Sequence, residues 1–209
     1  MLRTHAPWLR SLNGDGGYGL ALLVVLALLA VLAAGGTPWL LALRYERAGI
    51  QQGEYWRWLT AHFVHLGVRH VLLDAAALLL LWSLYARELG AAGWLCVALC
   101  SMAAIDAGLW WWASDVQWYA GISGLLHGLW LAGAARSAWR REFLGLAMLA
   151  ALLAKLSYEF YSASSVALAG LPVVLAAHRF GAAGGLVGLA LWAGVHAARG
   201  GWARSATRL

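Results

Sequence analysis

Apolar residues in this chain gather into long runs broken by short polar stretches, at about 17–36, 70–86, 91–112, 121–135, 143–159 and 172–197. About 20 apolar residues in helical conformation cross the roughly 30 Å of hydrocarbon in a bilayer. The pattern therefore predicts an all-α polytopic membrane protein with six transmembrane helices. The fourth is short: roughly 15 residues rise only about 22 Å. If its C-terminal end lies at one membrane surface near Arg136, its N-terminal end stops below the other, and the irregular backbone over 118–121 must line a cavity or be covered by protein.

The stretch 37–69 breaks the pattern. It mixes Leu40, Leu41 and Leu43 with Arg44, Glu46, Arg47, Glu54 and Arg57, and then adds Trp56, Trp58 and Phe63. That mixture reads as a long interfacial loop rather than a span, and a loop of that length usually has a function. Residues 1–16 are polar; Ala33-Ala34-Gly35 would suit signal cleavage, but the long polar leader and long apolar run favour a retained first helix. Six spans place both termini on one side. Arg3, Arg10, Arg87, Arg136, Arg140, Arg141, Arg199, Arg204 and Arg208 fall on that side, and Arg44, Arg47, Arg57 and Arg69 on the other. The excess marks the termini, 1–16 and 198–209, as cytoplasmic.

Composition narrows the function classes. At 63% hydrophobic residues and a mean hydropathy of +0.70, a soluble domain is excluded. The net charge of +6 comes from loop and tail arginines that set topology, so no nucleic-acid partner is implied. Cys96 and Cys100 lie one helical turn apart in an apolar run and read as structural. His62, His65 and His70 lack the His-Glu-x-x-His spacing of a zinc protease, and neither metal nor cofactor is expected. Asp74 and Asp106 could face each other as an aspartyl pair, but no glycine motif accompanies Asp106.

The candidate chemistry lies at Gly121-Ile122-Ser123-Gly124-Leu125-Leu126-His127-Gly128. Ser123 opens an apolar helix between glycines, where backbone can come close to its hydroxyl and free N–H groups face a developing oxyanion. His127 shares its helix face. Ionisable groups inside spans are functional candidates. His70 and Asp74 share a face of helix two, and His178 lies six residues into helix six, near the depth of Ser123. Gly181 and Gly185 lie on the face of His178. They match the small-residue seam of Gly124 and Gly128, so the two helices can approach closely. Lys155 and Glu159, at i and i+4, pair with each other.

These motifs resemble those of the rhomboid intramembrane serine proteases: Glu54-Tyr55-Trp56-Arg57, His65 and His70 with position 74, Gly121-Ile122-Ser123-Gly124, and Ala177-His178-x-x-Gly181-x-x-x-Gly185. Ser-Gly-Leu-Leu-His-Gly, with His127 where many rhomboids carry tyrosine, and Lys155-x-x-x-Glu159 resemble the rhombosortase branch. The resemblance implies a single six-helix rhomboid-like bundle over 1–209 with a short central fourth helix. It implies a Ser123–His178 dyad with no third acidic member. The oxyanion would be held by the backbone N–H of Ser123, that of Ile122, and the His70 side chain, with Gly121 shaping the approach. His127 would pack on or bond to the His178 ring. Asp74 stands where the common pattern has asparagine, and is expected to orient His70 through a charge-assisted bond. The implied partners are the lipid bilayer and membrane-anchored, exported proteins with a C-terminal tail of Gly-Gly, apolar helix and basic cluster. The implied location is a bacterial inner membrane, with the site opening to the periplasmic side. A general rhomboid protease, or an inactive helix-binding relative, are the alternatives.

Overall fold

A computed structural model describes residues 17–161 and 173–198. Pro172, expected to open the sixth helix, lies outside the described residues, as do the arginines of both terminal segments. The described chain is mostly helical: α1 (Gly17–Ala34), α2 (Gly36–Leu43), β1 (Tyr45–Glu46), α3 (Arg47–Gln51), α4 (Arg57–Thr60), α5 (Val68–Tyr85), α6 (Ala91–Trp111), β2 (Trp118–Tyr119), α7 (Ser123–Trp139), α8 (Phe143–Tyr161) and α9 (Leu175–Ala198). Four of these, α5, α6, α8 and α9, are long and apolar enough to cross a membrane, and a fifth span is reached if α1 and α2, bent by 108°, count as one. Their outward faces are apolar, with Leu79 and Leu80, Leu95 and Leu99, Leu146 and Leu153, and Leu186 and Leu191 all exposed, as lipid-facing surfaces require.

The described residues fall into two compact units. The first takes the chain up to Glu88 together with Trp118–Ile122; the second takes Leu89–Gln117 and the chain from Ser123 onward. In the first, α1 packs on α5 and buries Leu29. An antiparallel pair, Tyr45 opposite Tyr119 and Glu46 opposite Trp118, amends the all-α expectation by two short strands.

The expected interfacial stretch is tightly built. A helix end leaves four carbonyls without intrahelical partners. At the end of α2 each finds another: Leu41 and Arg44 accept from Arg57 Nη1 (2.9 and 2.8 Å), Ala42 from Trp56 Nε1 (3.2 Å) and Leu43 from Thr60 Oγ1 (2.6 Å). Arg57, itself buried, also donates to Glu54 (2.5 Å). The Glu54-Tyr55-Trp56-Arg57 motif is thus the clip that shapes this loop.

In the second unit, α9 packs on α6 and α7, and α7 packs on α8. Leu89, Val97 and Ala132 form its core, with Trp94, Leu129, Leu189 and Trp192 packed around them. Trp130 Nε1 on α7 donates to the Met148 carbonyl on α8 (3.0 Å). Helix α7 is longer than the sequence pattern implied. It begins at Ser123 and runs to Trp139, and Arg136, expected at its end, is buried within it. The turn comes later, at Arg141 with φ 63°, where Ser137 Oγ donates to Glu142 (2.7 Å). Charge at Arg136 suggested a surface, but the helix continues past it because Ser137, Ala138 and Trp139 carry nothing that breaks a helix. In α8 only Gly145 and Leu152 are buried, so most of its surface faces outward.

Replacing Arg57 with lysine should destabilise the protein by about 2–3 kcal/mol, because one ammonium cannot serve two carbonyls and a carboxylate in the geometry of a planar guanidinium. Thermal unfolding in detergent checks this, and an unchanged midpoint would remove the clip from the account.

Candidate active site

Two rows of glycine on α9 set the geometry of the second unit. Gly181 and Gly185 lie against α7: a Cβ on Gly181 would strike the Gly124 carbonyl, and one on Gly185 would strike the backbone of Gly128. Gly184 and Gly188 lie against α6, over Cys100 and Ser101 and over Val97. Within a bilayer, helices gain little from hydrophobic burial and associate where small residues allow backbone contact. The sequence reading contained the first row and missed the second, although Gly184 and Gly188 repeat at the same four-residue spacing. Cys96 Sγ reaches the Gly188 carbonyl (3.6 Å), and both cysteines are free.

This close approach brings His178 to Ser123. His178 lies in the first turn of α9, since the described helix begins at Leu175, and not six residues in as the pattern suggested. Its Nε2 is 3.1 Å from Ser123 Oγ, and both groups sit at the N-terminal ends of their helices. The ring is held on two further sides. His127 stacks on it, with centroids 4.0 Å apart and planes 14° apart, while His127 Nδ1 donates to the Ser123 carbonyl (2.7 Å). At the opposite nitrogen, the Glu159 carboxylate accepts from His178 Nδ1, at 2.9 Å to Oε2 and 3.1 Å to Oε1. Lys155 pairs with that same carboxylate one turn earlier on α8. The resemblance implied a two-residue site, whereas here an acid stands behind the histidine. The i,i+4 spacing with Lys155 explains why the sequence reading assigned Glu159 only to an ion pair: nothing in one helix's pattern says which residue of another helix it meets.

His127, Glu159 and His178 each offer a metal-ligand atom within 4.8 Å of the others. Near-parallel stacked imidazoles point their in-plane lone pairs side by side, however, and these cannot converge on one ion without a ring turning. Only His178 and Glu159 are joined by a hydrogen bond; His127 stacks on the His178 ring.

The other expected residues, His70, Asp74, Gly121 and Ile122, belong to the first unit. His70 Nε2 is 3.3 Å from Asp74 Oδ2, and His65 Nε2 reaches the same oxygen at 3.1 Å. The Leu66 N–H approaches His70 Nδ1 (3.4 Å), which leaves Nε2 to carry the proton of a neutral ring. Gly121 has φ 123°, and a Cβ there would press on the His70 ring, at 2.9 Å from Cε1. Only glycine suits both the backbone and the space. Its N–H donates to the Ala61 carbonyl (3.0 Å), and its own carbonyl accepts from the Tyr119 hydroxyl (2.6 Å). Ile122 is buried.

A family profile described as Rhomboid domain matches residues 52–194. The chain belongs to the rhomboid family. Among curated proteins, none matches it. Rhomboids are intramembrane proteases that act on membrane-protein substrates within the lipid bilayer, and together with its apolar helices the match makes this chain an integral membrane protein. The match includes Glu54 to Arg57, His65, His70, Asp74, Gly121 to Gly128, Lys155, Glu159, and His178 to Gly185. It thus covers both histidine clusters and the two seam glycines of each helix.

Gly181→Val should destabilise this rhomboid by about 1–3 kcal/mol or more, since overpacking at a backbone contact has no flexible neighbour to absorb it. Gly194→Ala, on the same helix with nothing within 4 Å, should be neutral or stabilise by up to about 1 kcal/mol. Equal shifts in the two unfolding midpoints would show that the seam does not hold α9.

Proposed function

We propose that this rhomboid is a serine endopeptidase of the rhombosortase type, with Ser123 as nucleophile and His178 as its base. The observation that carries the reading is the 3.1 Å approach of His178 Nε2 to Ser123 Oγ, both largely shielded from solvent. Serine is a weak nucleophile until a base takes its proton. Ser123 Oγ attacks the scissile carbonyl as its proton moves to His178 Nε2. The same proton then passes to the leaving amine, and a water deprotonated by His178 releases the acyl group. The backbone N–H of Ser123 and that of Ile122, together with the His70 side chain, serve the oxyanion, as the resemblance implies. Asp74, with Oδ2 3.3 Å from His70 Nε2, orients His70, and His127 fixes the plane of the His178 ring.

The substrates in this reading are exported proteins with a C-terminal Gly-Gly, apolar helix and basic tail. Small, helix-poor residues unwind at low cost and expose a carbonyl that a stable helix hides. His127 beside His178 and the Lys155–Glu159 pair favour this branch; the wider reading, a rhomboid protease for other transmembrane substrates, rests on the family match. The proposed topology has six spans in one membrane domain, with α1 and α7 completing the set. The termini are cytoplasmic in a bacterial inner membrane, and the site opens to the periplasm.

The test is cleavage in proteoliposomes of a reporter protein carrying such a tail, beside one whose Gly-Gly is replaced by leucines. Ser123→Ala and His178→Ala should each reduce cleavage to background while still inserting into the membrane. Undiminished cleavage by Ser123→Ala would end the serine mechanism, and equal cutting of both reporters would favour the wider substrate range. Asp74→Asn should lower kcat/KM about tenfold, the ~1.4 kcal/mol by which a charged acceptor exceeds a neutral one. Full activity would mean that a neutral amide serves at this position.

A further inference from the structure

We infer that Glu159 is a positioning residue for the Ser123–His178 pair, so that the site works as a Ser–His–Glu relay anchored by Lys155. The inference rests on the serine-protease reading above and extends it to a residue on a different helix.

The first ground is the tautomer. A neutral imidazole can take the Ser123 proton at Nε2 only if its own proton is on Nδ1. In this structure Nδ1 faces a carboxylate with both oxygens in range, at 2.9 and 3.1 Å, while Nε2 faces Ser123 Oγ at 3.1 Å. An acceptor that is itself ionised holds the proton at Nδ1 and leaves the Nε2 lone pair for serine. The stacked His127 ring closes off rotation about the remaining axis.

The second ground is how the ion pair is buried. An i,i+4 pair serving only itself needs no inward face. Here the Lys155 side chain is 37% exposed and that of Glu159 only 11%. The carboxylate is therefore turned away from the outer face of α8, a helix with only two buried residues, and aimed at His178. Placing a carboxylate inside a membrane protein is costly, and the histidine supplies the reason for its direction. Lys155, at the rim, compensates the charge and holds the carboxylate in place.

During turnover the Ser123 proton passes to His178 Nε2 and makes an imidazolium. Glu159 stays ionised and accepts no proton; it balances the new positive charge through the bond already in place. When the leaving amine takes the proton from Nε2, the relay returns to its starting state.

The experiment uses the full chain in proteoliposomes with the tailed reporter and measures kcat, KM and unfolding midpoint on the folded fraction of each variant. Glu159→Gln should lower kcat by about 10²- to 10⁴-fold, as loss of the orienting carboxylate does in serine proteases generally, with KM changed less than about twofold and the midpoint retained. Glu159→Asp should recover at least about tenfold in kcat over the glutamine variant, and Lys155→Met should lose less than either. Glu159→Gln with kcat near the parent, beside an inactive Ser123→Ala, would overturn the relay and leave the serine reading standing. Equal losses in the Gln and Asp variants that track a lowered midpoint would overturn it too, since they mark a purely structural residue. Full cleavage by Ser123→Ala would instead remove the reading underneath.

Discussion

Two helices in a bilayer reach backbone contact only where neither carries a side chain at the crossing, and the second unit depends on one such crossing. Gly181 meets Gly124 and Gly185 meets Gly128, one helical turn apart on both α7 and α9. Because Ser123 precedes Gly124 by one residue and His178 precedes Gly181 by three, the crossing fixes the separation of hydroxyl and imidazole almost by itself. The second glycine row, against α6, keeps α9 from rolling about that contact. Lipid offers no hydrophobic penalty for separating helices, so the attraction comes from close packing along both rows.

Polar groups buried in such a packing must find one another. They do so in two separate chains. In the second unit, Ser123, His178, Glu159 and Lys155 follow one another, with His127 bonded back to the Ser123 carbonyl. In the first, His65 and His70 share one oxygen of Asp74. In the second unit Lys155 stands beside the Glu159 carboxylate, whereas in the first the Asp74 oxygen is shared by two histidines. The two aggregates of histidine and acid thus differ in the partners of the carboxylate, although Glu159 was legible only as a member of an i,i+4 pair.

Much of the architecture is readable from the runs of apolar residues. The spans predicted at 70–86, 91–112 and 143–159 lie within two residues of α5, α6 and α8 at every end. The errors fall where a residue type carries two meanings. Arg136 signalled a membrane surface, yet it is buried inside α7, where a charged side chain with partners is tolerated. The stretch 37–69 looked irregular because its order comes from side chain to backbone bonds, which leave no periodicity. The proximity of glycine seams was suggested by matched spacing on two helices. The meeting of Glu159 with His178 was not, because nineteen residues and a change of helix separate them, and no repeat encodes which face of α8 turns inward.

The four clipped carbonyls at the end of α2 carry a consequence for the lipid environment. A frayed helix end must stay at a depth where water can reach it, which ties it to one membrane thickness. Here Arg57, Trp56 and Thr60 take water's place at the carbonyls of Leu41, Ala42, Leu43 and Arg44. The C-terminal end of α2 therefore has no hydration requirement of its own. It can ride deeper or shallower as bilayers thicken and thin, and leave the adjustment to the aromatic side chains at its rim.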